Sequence, residues 1–241
     1  MPSHERVIEL RGVTKDYHGL RPLRVQHLAL QQSQTAALLG LDRAAAEVLV
    51  NLITAATLPD SGEVEIFGSL TRDITDADAW FRFLDHFGIF SERVVLVDEL
   101  NVEQNLALPF SLVVDDLPQD LRSQVRNIAD EVGISDAELS RPMASAGAGI
   151  RTRVRLAKAL ALAPRVLLAE HPNAAVPPDE VGRLAADLSG IAARRGLAML
   201  VLTADTAFAG AACNEVWTLH AATGKVAQAS GWSSWFTRRT R

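Results

Sequence analysis

The chain has 241 residues, 48% of them hydrophobic, and a net charge of −5 at neutral pH, which allows either one substantial α/β core with an inserted subdomain or two small domains. Its 24 cationic and 29 acidic side chains are scattered rather than clustered, and this excludes the concentrated Lys/Arg surface that neutralising nucleic-acid phosphates requires. A single cysteine, Cys213, excludes an intrachain disulfide framework and a cysteine-based metal cluster. The amino-terminal residues Met1–Arg6 lack the basic-then-apolar order of a secretion signal, and the apolar stretch from Ala159 to Ala169 is broken by Pro164 and Arg165. A cytoplasmic chain is expected.

In chain order, Val7–Leu10, Val25–Leu30 and Thr35–Leu39 read as strands. After the turn residues Pro59-Asp60-Ser61-Gly62, the alternating run Glu63–Phe67 reads as another. From Asn101 to Arg155 no run has strand character, and helical patterns are separated by Pro109, Pro118 and Pro142. Val166–Ala169 and Met199–Leu202 are continuous apolar runs, as expected of strands buried on both faces of a parallel sheet. Between them Asp179–Arg195 has a helical period, its start marked by Pro177-Pro178. Strands alternating with helices predict βαβ units.

Residues Leu38 to Ile53 read as the end of a buried strand, a turn and the start of a helix, the setting of a phosphate-binding loop G-x-x-x-x-G-K-[ST]. In such a loop backbone N–H groups cradle phosphates, the lysine reaches the terminal ones and the hydroxyl holds Mg²⁺. Here only Gly40 keeps its type: Ala45, Ala46 and Glu47 replace the second glycine, the lysine and the hydroxyl. Glu47 is expected to put its own carboxylate at the helix amino terminus and to fill the anion site from within. The chain's lysines are Lys15, Lys158 and Lys225, none near this loop. Arg43 is the nearest cation, expected to be solvated and to pair with Glu47 at i,i+4.

The order of landmarks resembles the ATP-binding subunit of an ABC transporter from about Val7 to Ala229. The resemblance is carried by Leu58–Gly68, by Asp98–Pro109 and by Arg153–Leu160 after the signature position. The wording Asn105-Leu106-Ala107-Leu108-Pro109 is most similar to the branch serving macrolide-export and lipoprotein-release permeases. The resemblance implies an α/β fold, a P-loop ABC ATPase core with an inserted helical subdomain. The core would comprise residues 1–91 and 151–230, the helical subdomain 92–150 and a tail 231–241.

The same resemblance places substitutions at the functional positions. Tyr17 stands where an aromatic stacks on adenine, with ordinary packing as the other reading. The glutamine beside Mg²⁺ becomes Glu92. The signature becomes Ala146–Ile150, with Gly147, Ala148 and Gly149 at its centre, although counting from Pro142 shifts it by one residue. The acidic strand end becomes Glu170-His171-Pro172, the following loop Ala174–Pro178 lacks its aspartate, and the switch histidine becomes Ala204. His171 is expected to be structural.

These positions imply a chain with no catalytic residue, no metal and no cofactor of its own, ATP and Mg²⁺ entering only through a partner. It would not be an enzyme. It would pair, as a hetero-oligomer, with an active ABC ATPase subunit beneath a membrane permease, peripheral on the inner face of the cell membrane; a pair of identical copies stays open. Glu92 and the region Leu100–Arg141 would dock the permease, with Phe90, Leu100 and Val102 as apolar contacts and a core role equally open for Phe90. The aromatic and basic tail Gly231–Arg241 suits a membrane surface, a partner or a disordered end. Two alternatives remain, a weak ATPase using Glu170, His171 and Arg43, and a regulatory binding module unrelated to transport.

Overall fold

The computed structural model describes residues 5–228. β1 (Arg6–Lys15) and β2 (Leu23–Gln31) pair antiparallel, β3 is Thr35–Leu39 and α1 (Arg43–Ile53) follows it. β4 (Ser61–Ile66) pairs antiparallel with β1 and with the short β5 (Ser69–Leu70). After α2 (Ala77–Leu84) and β6 (Phe87–Phe90) come four helices, α3 (Val102–Ala107), α4 (Gln119–Glu131), α5 (Asp136–Leu139) and α6 (Ala148–Leu160). The chain continues through β7 (Val166–Glu170), α7 (Pro178–Arg195), β8 (Ala198–Leu202), α8 (Thr206–Ala212), β9 (Glu215–His220) and β10 (Lys225–Gln228). The tail Gly231–Arg241 lies outside the described residues.

The strands form a four-stranded sheet, β2-β1-β4-β5, and a six-stranded one, β10-β9-β3-β8-β7-β6. In the larger sheet β9, β3, β8, β7 and β6 run parallel and β10 adds an antiparallel edge. Every residue of β7 and β8 is buried. Because successive strand side chains point to opposite faces, Leu167, Ala169, Met199 and Val201 enter one core and Val166, Leu168, Ala198, Leu200 and Leu202 enter another. The first core takes the apolar faces of α4, α6 and α7; the second takes α1 and the inner face of the four-stranded sheet. Burial on both faces is the physical reason these strands are apolar throughout.

Two polar ties hold the helices of the first core. Asn105, fully buried, accepts the Val97 amide at 2.8 Å and donates to the Val97 and Asn101 carbonyls at 2.9 and 3.0 Å. Arg153 on α6 is buried, donating to the Val132 carbonyl and, at 2.8 Å, to Asp187 on α7. Phe90 and Val102, expected as permease contacts, are 2% and 0% exposed. They are core residues, since their neighbours are the apolar side chains of α3 and α6, and Leu100 packs against the same cluster.

Candidate functional site

The carboxyl ends of β3, β6, β7 and β8 lie along one edge of the parallel sheet, where ligands of open α/β sheets bind. Four stretches leave this edge: Gly40–Asp42, Ser91–Asp98, His171–Pro177 and Thr203–Asp205. Gly40 has φ of 95°, and a Cβ there would collide with the Leu219 carbonyl oxygen, so both conformation and space demand glycine. Asp42 is the cap of α1: its Oδ1 accepts the Ala45 amide at 2.8 Å, and its carbonyl accepts the Ala46 amide at 2.9 Å. Ala45 and Ala46 are buried.

The carboxylate at this helix end is therefore that of Asp42, which corrects the expectation for Glu47. Glu47 lies one turn further along α1, with its side chain 46% exposed, and accepts from Arg93 Nη1 at 3.2 Å. Arg43 does not pair with Glu47 either. It reaches across to Glu92, Nη1 to Oε2 at 3.1 Å.

Arg93 was not anticipated by any sequence signal. It bonds Glu170 at the end of β7 through two guanidinium nitrogens, Nε at 2.9 Å to Oε2 and Nη2 to Oε1, the fork geometry that makes such pairs strong. Ser91 Oγ donates to Glu170 Oε2 at 2.7 Å and accepts the Arg93 amide at 3.2 Å. The Glu170 side chain is only 7% exposed, so these bonds are what allow its charge to be buried. Bonding to Glu170 pushes the Arg93 guanidinium above its ordinary range, against the opposing effect of burial.

His171 follows with φ of 43°; its amide donates to the Leu202 carbonyl at 2.7 Å, and its Nε2 is buried with no hydrogen-bond partner. Ala204 is exposed between Thr203 and Asp205. Asp205 caps α8 through the Phe208 amide at 3.0 Å and accepts from Asn173 Nδ2 at 3.0 Å, which ties the two loops together. Tyr17 is half-buried against the second core, its ring folded over Gly19. Burial pushes its phenol up, and the nearby Asp42 charge adds to the effect.

At the amino end of α6 Gly147 is the cap and Ala148 the first helical residue. No side chain caps this end, and the space where a Cβ of residue 147 would stand is open. Gly149 has the Glu180 carboxylate against it, where a Cβ would collide with Oε2.

Around α1 Asp42 has taken a first-turn amide, and a guanidinium stands between the two carboxylates, Glu47 and Glu170. Among the described residues no group of three or more His, Cys, Asp or Glu is placed to hold a metal ion. No described helix is long and apolar enough to cross a membrane.

The model of the ABC transporter family matches residues 23–174. The chain is 29% identical to the methionine import ATP-binding protein MetN of Chromohalobacter salexigens, over 87% of this chain and 61% of that protein. It is 30% identical to the phosphonates import ATP-binding protein PhnC of Anaeromyxobacter dehalogenans, over 81% of this chain and 40% of that one. The chain thus spans less than two thirds of these relatives. Its fold matches the dimeric cassette MJ0796 with a TM-score of 0.77 and 21% identity, covering 93% of this chain and 99% of that one. A post-hydrolysis state of the same cassette, bound to ADP and Pi, gives 0.76 at 20% identity with the same coverage.

Two expectations are overturned by these relatives. The chain was expected to be no enzyme and to take no cofactor of its own, yet the relatives are named ATP-binding proteins and the matching cassette was solved after hydrolysis with ADP and Pi. The branch suggested by Asn105–Pro109 is not the one these relatives name, which is methionine and phosphonate import.

Proposed function

The chain belongs to the ABC transporter family, and on that basis we propose that it is an ATP-binding-type subunit of a membrane transporter, cytoplasmic and peripheral, working face to face with a second such subunit beneath a permease. ATP and Mg²⁺ enter at the face between the two subunits, between the loop before α1 of one and α6 of the other. The observation that carries the reading is the amino end of α6 at Gly147, which no side chain caps and beside which the space is open, at the positive end of the helix dipole. α1 of this chain lacks such an opening, which favours a facing subunit of different sequence. The domain reading follows the same division, residues 1–91 and 151–230 as core and 92–150 as the helical part, the boundary falling within the first turn of α6.

The permease seat in this reading is a cavity of about 290 Å³ between α1, α2 and β6, with Trp80, Leu84, Ile89 and Val94 among its lining. It replaces the buried Phe90 and Val102 as the apolar contact surface. Purification of the chain in mild detergent, with identification of what accompanies it, tests the proposal. A permease and a second ATP-binding subunit are the expected companions, and recovery of the chain alone from membranes that contain it overturns the reading.

A second reading, nucleotide held at this chain's own α1, is favoured by one observation: Arg43 and Arg93 bring two guanidinium groups to α1, a helix that carries no lysine. Titration of the isolated chain with ATP and Mg²⁺ separates the two. Micromolar affinity selects the second.

A further inference from the structure

Along one face of α6 stand three cations, Arg151, Arg155 and Lys158, spaced by one turn or less. Arg151 has an acid partner, Asp98, at 2.8 Å. The other two are held by main-chain oxygens: Arg155 Nε donates to the Val94 carbonyl at 3.2 Å and Lys158 Nζ to the Val95 carbonyl at 2.9 Å. Among the described residues no carboxylate is bonded to either side chain, and Glu92, whose charge reaches Arg155 through space, is already held by Arg43. Both groups register the shortage. Burial first, and then the charge of Arg151, push the Arg155 guanidinium below its ordinary range; burial and the charge of Arg155 push the Lys158 ammonium down. Two half-buried cations are thus kept close together without a counter-ion.

We propose that Arg155 and Lys158 form a binding site for a phosphate group, about two and three turns along α6 from Gly147. With Nε taken by the Val94 carbonyl, the Arg155 guanidinium presents its two Nη nitrogens as a fork to a pair of phosphate oxygens. Lys158 adds the ammonium hydrogens that the Val95 carbonyl leaves over. The two carbonyls hold both side chains in place before a ligand arrives, which lowers the cost of ordering them. A bound anion also relieves the repulsion between the two charges, and a phosphate has oxygens enough to meet fork and ammonium at once. Val95, whose carbonyl holds Lys158, has its own side chain 72% exposed, an apolar neighbour that suits the headgroup phosphate of a phospholipid better than the bare ion. The chain as a whole carries a net charge of −5, so an anionic surface attracts it only through a local patch of this kind.

The test is flotation of the full chain with phosphatidylglycerol vesicles and, in parallel, titration with inorganic phosphate, wild type against the double variant Arg155→Gln, Lys158→Gln. Each charge removed should weaken vesicle binding about fivefold, and the pair about thirtyfold, while phosphatidylcholine vesicles retain neither protein. Binding of inorganic phosphate that the double variant loses, without retention on vesicles, assigns the same site to a soluble phosphate. Arg24→Gln with Arg194→Gln removes equal charge from exposed positions elsewhere and should leave both measurements unchanged. Failure of the wild type to bind either probe, equal binding by the double variant, or an equal loss in the Arg24 and Arg194 control overturns the proposal. Should the double variant fail to fold, Lys158→Gln alone is expected to lose about fivefold and Lys158→Arg to keep its binding; equal behaviour of these two overturns it as well. The vesicles contain no permease, so failure of the permease to copurify leaves this result standing.

Discussion

At the amino end of α1 the Asp42 carboxylate accepts the Ala45 amide, whereas at the amino end of α6 the cap is Gly147, which brings no side chain to the first turn. Both helices begin near the edge that carries the candidate site, and both carry the same positive dipole end. The difference lies in who satisfies the first N–H groups. α1 answers from within its own chain; α6 leaves them to solvent or to a facing subunit. An uncapped helix amino terminus leaves its first N–H groups open to an anion, and α1 and α6 stand on opposite sides of that divide.

The contrast predicts unequal tolerance to substitution. Gly40→Ala, before α1, forces a side chain into a φ of 95° and into the Leu219 carbonyl, and should cost about 2–3 kcal/mol in urea denaturation. A variant as stable as wild type would show that the turn relaxes freely. Asp42→Ala removes the cap bond to Ala45 and should cost about 1 kcal/mol, read as a lowered thermal midpoint. Retention of the wild-type midpoint would mean that water replaces the cap without loss.

At α6 the sign reverses. Gly147→Asp supplies the cap that this helix lacks and should stabilise the isolated chain by a few tenths of a kcal/mol. In the assembled transporter the same carboxylate should lower ATPase activity about tenfold, by repelling nucleotide at that face; unchanged activity would remove α6 from the nucleotide site. The smallest effect is expected from Gly149→Ala. Its collision is with the far end of the flexible Glu180 side chain, and the gain in helix propensity offsets the shift to within about 0.5 kcal/mol in denaturation. A loss several times larger would identify Glu180 as fixed in place against α6.

The legible parts of the molecule were those whose cause is local. β3, β7 and β8 showed as apolar runs because both faces of a central strand are buried, and α7 showed through its helical period and the prolines at its start. β6 was not anticipated as a strand: it is four residues long and contains Gly88, whose missing side chain makes room for the Ala159 carbonyl of α6. The cap of α1 was legible in principle, since an aspartate three residues before Ala45 is a standard helix start. The loop pattern drew attention to Glu47 instead.

The sequence by itself determined the apolar central strands and α7, the absence of a lysine near Gly40, and the family resemblance, because each depends on residue type and short spacing. Only the tertiary structure decided which charges meet. Arg93 finds Glu47 at a separation of 46 residues and Glu170 at 77, and Arg43 finds Glu92 at 49. No periodicity connects such positions. They become neighbours because parallel strands deliver their carboxyl ends to one edge, where long cationic side chains reach the half-exposed Glu47 and Glu92 and the buried Glu170.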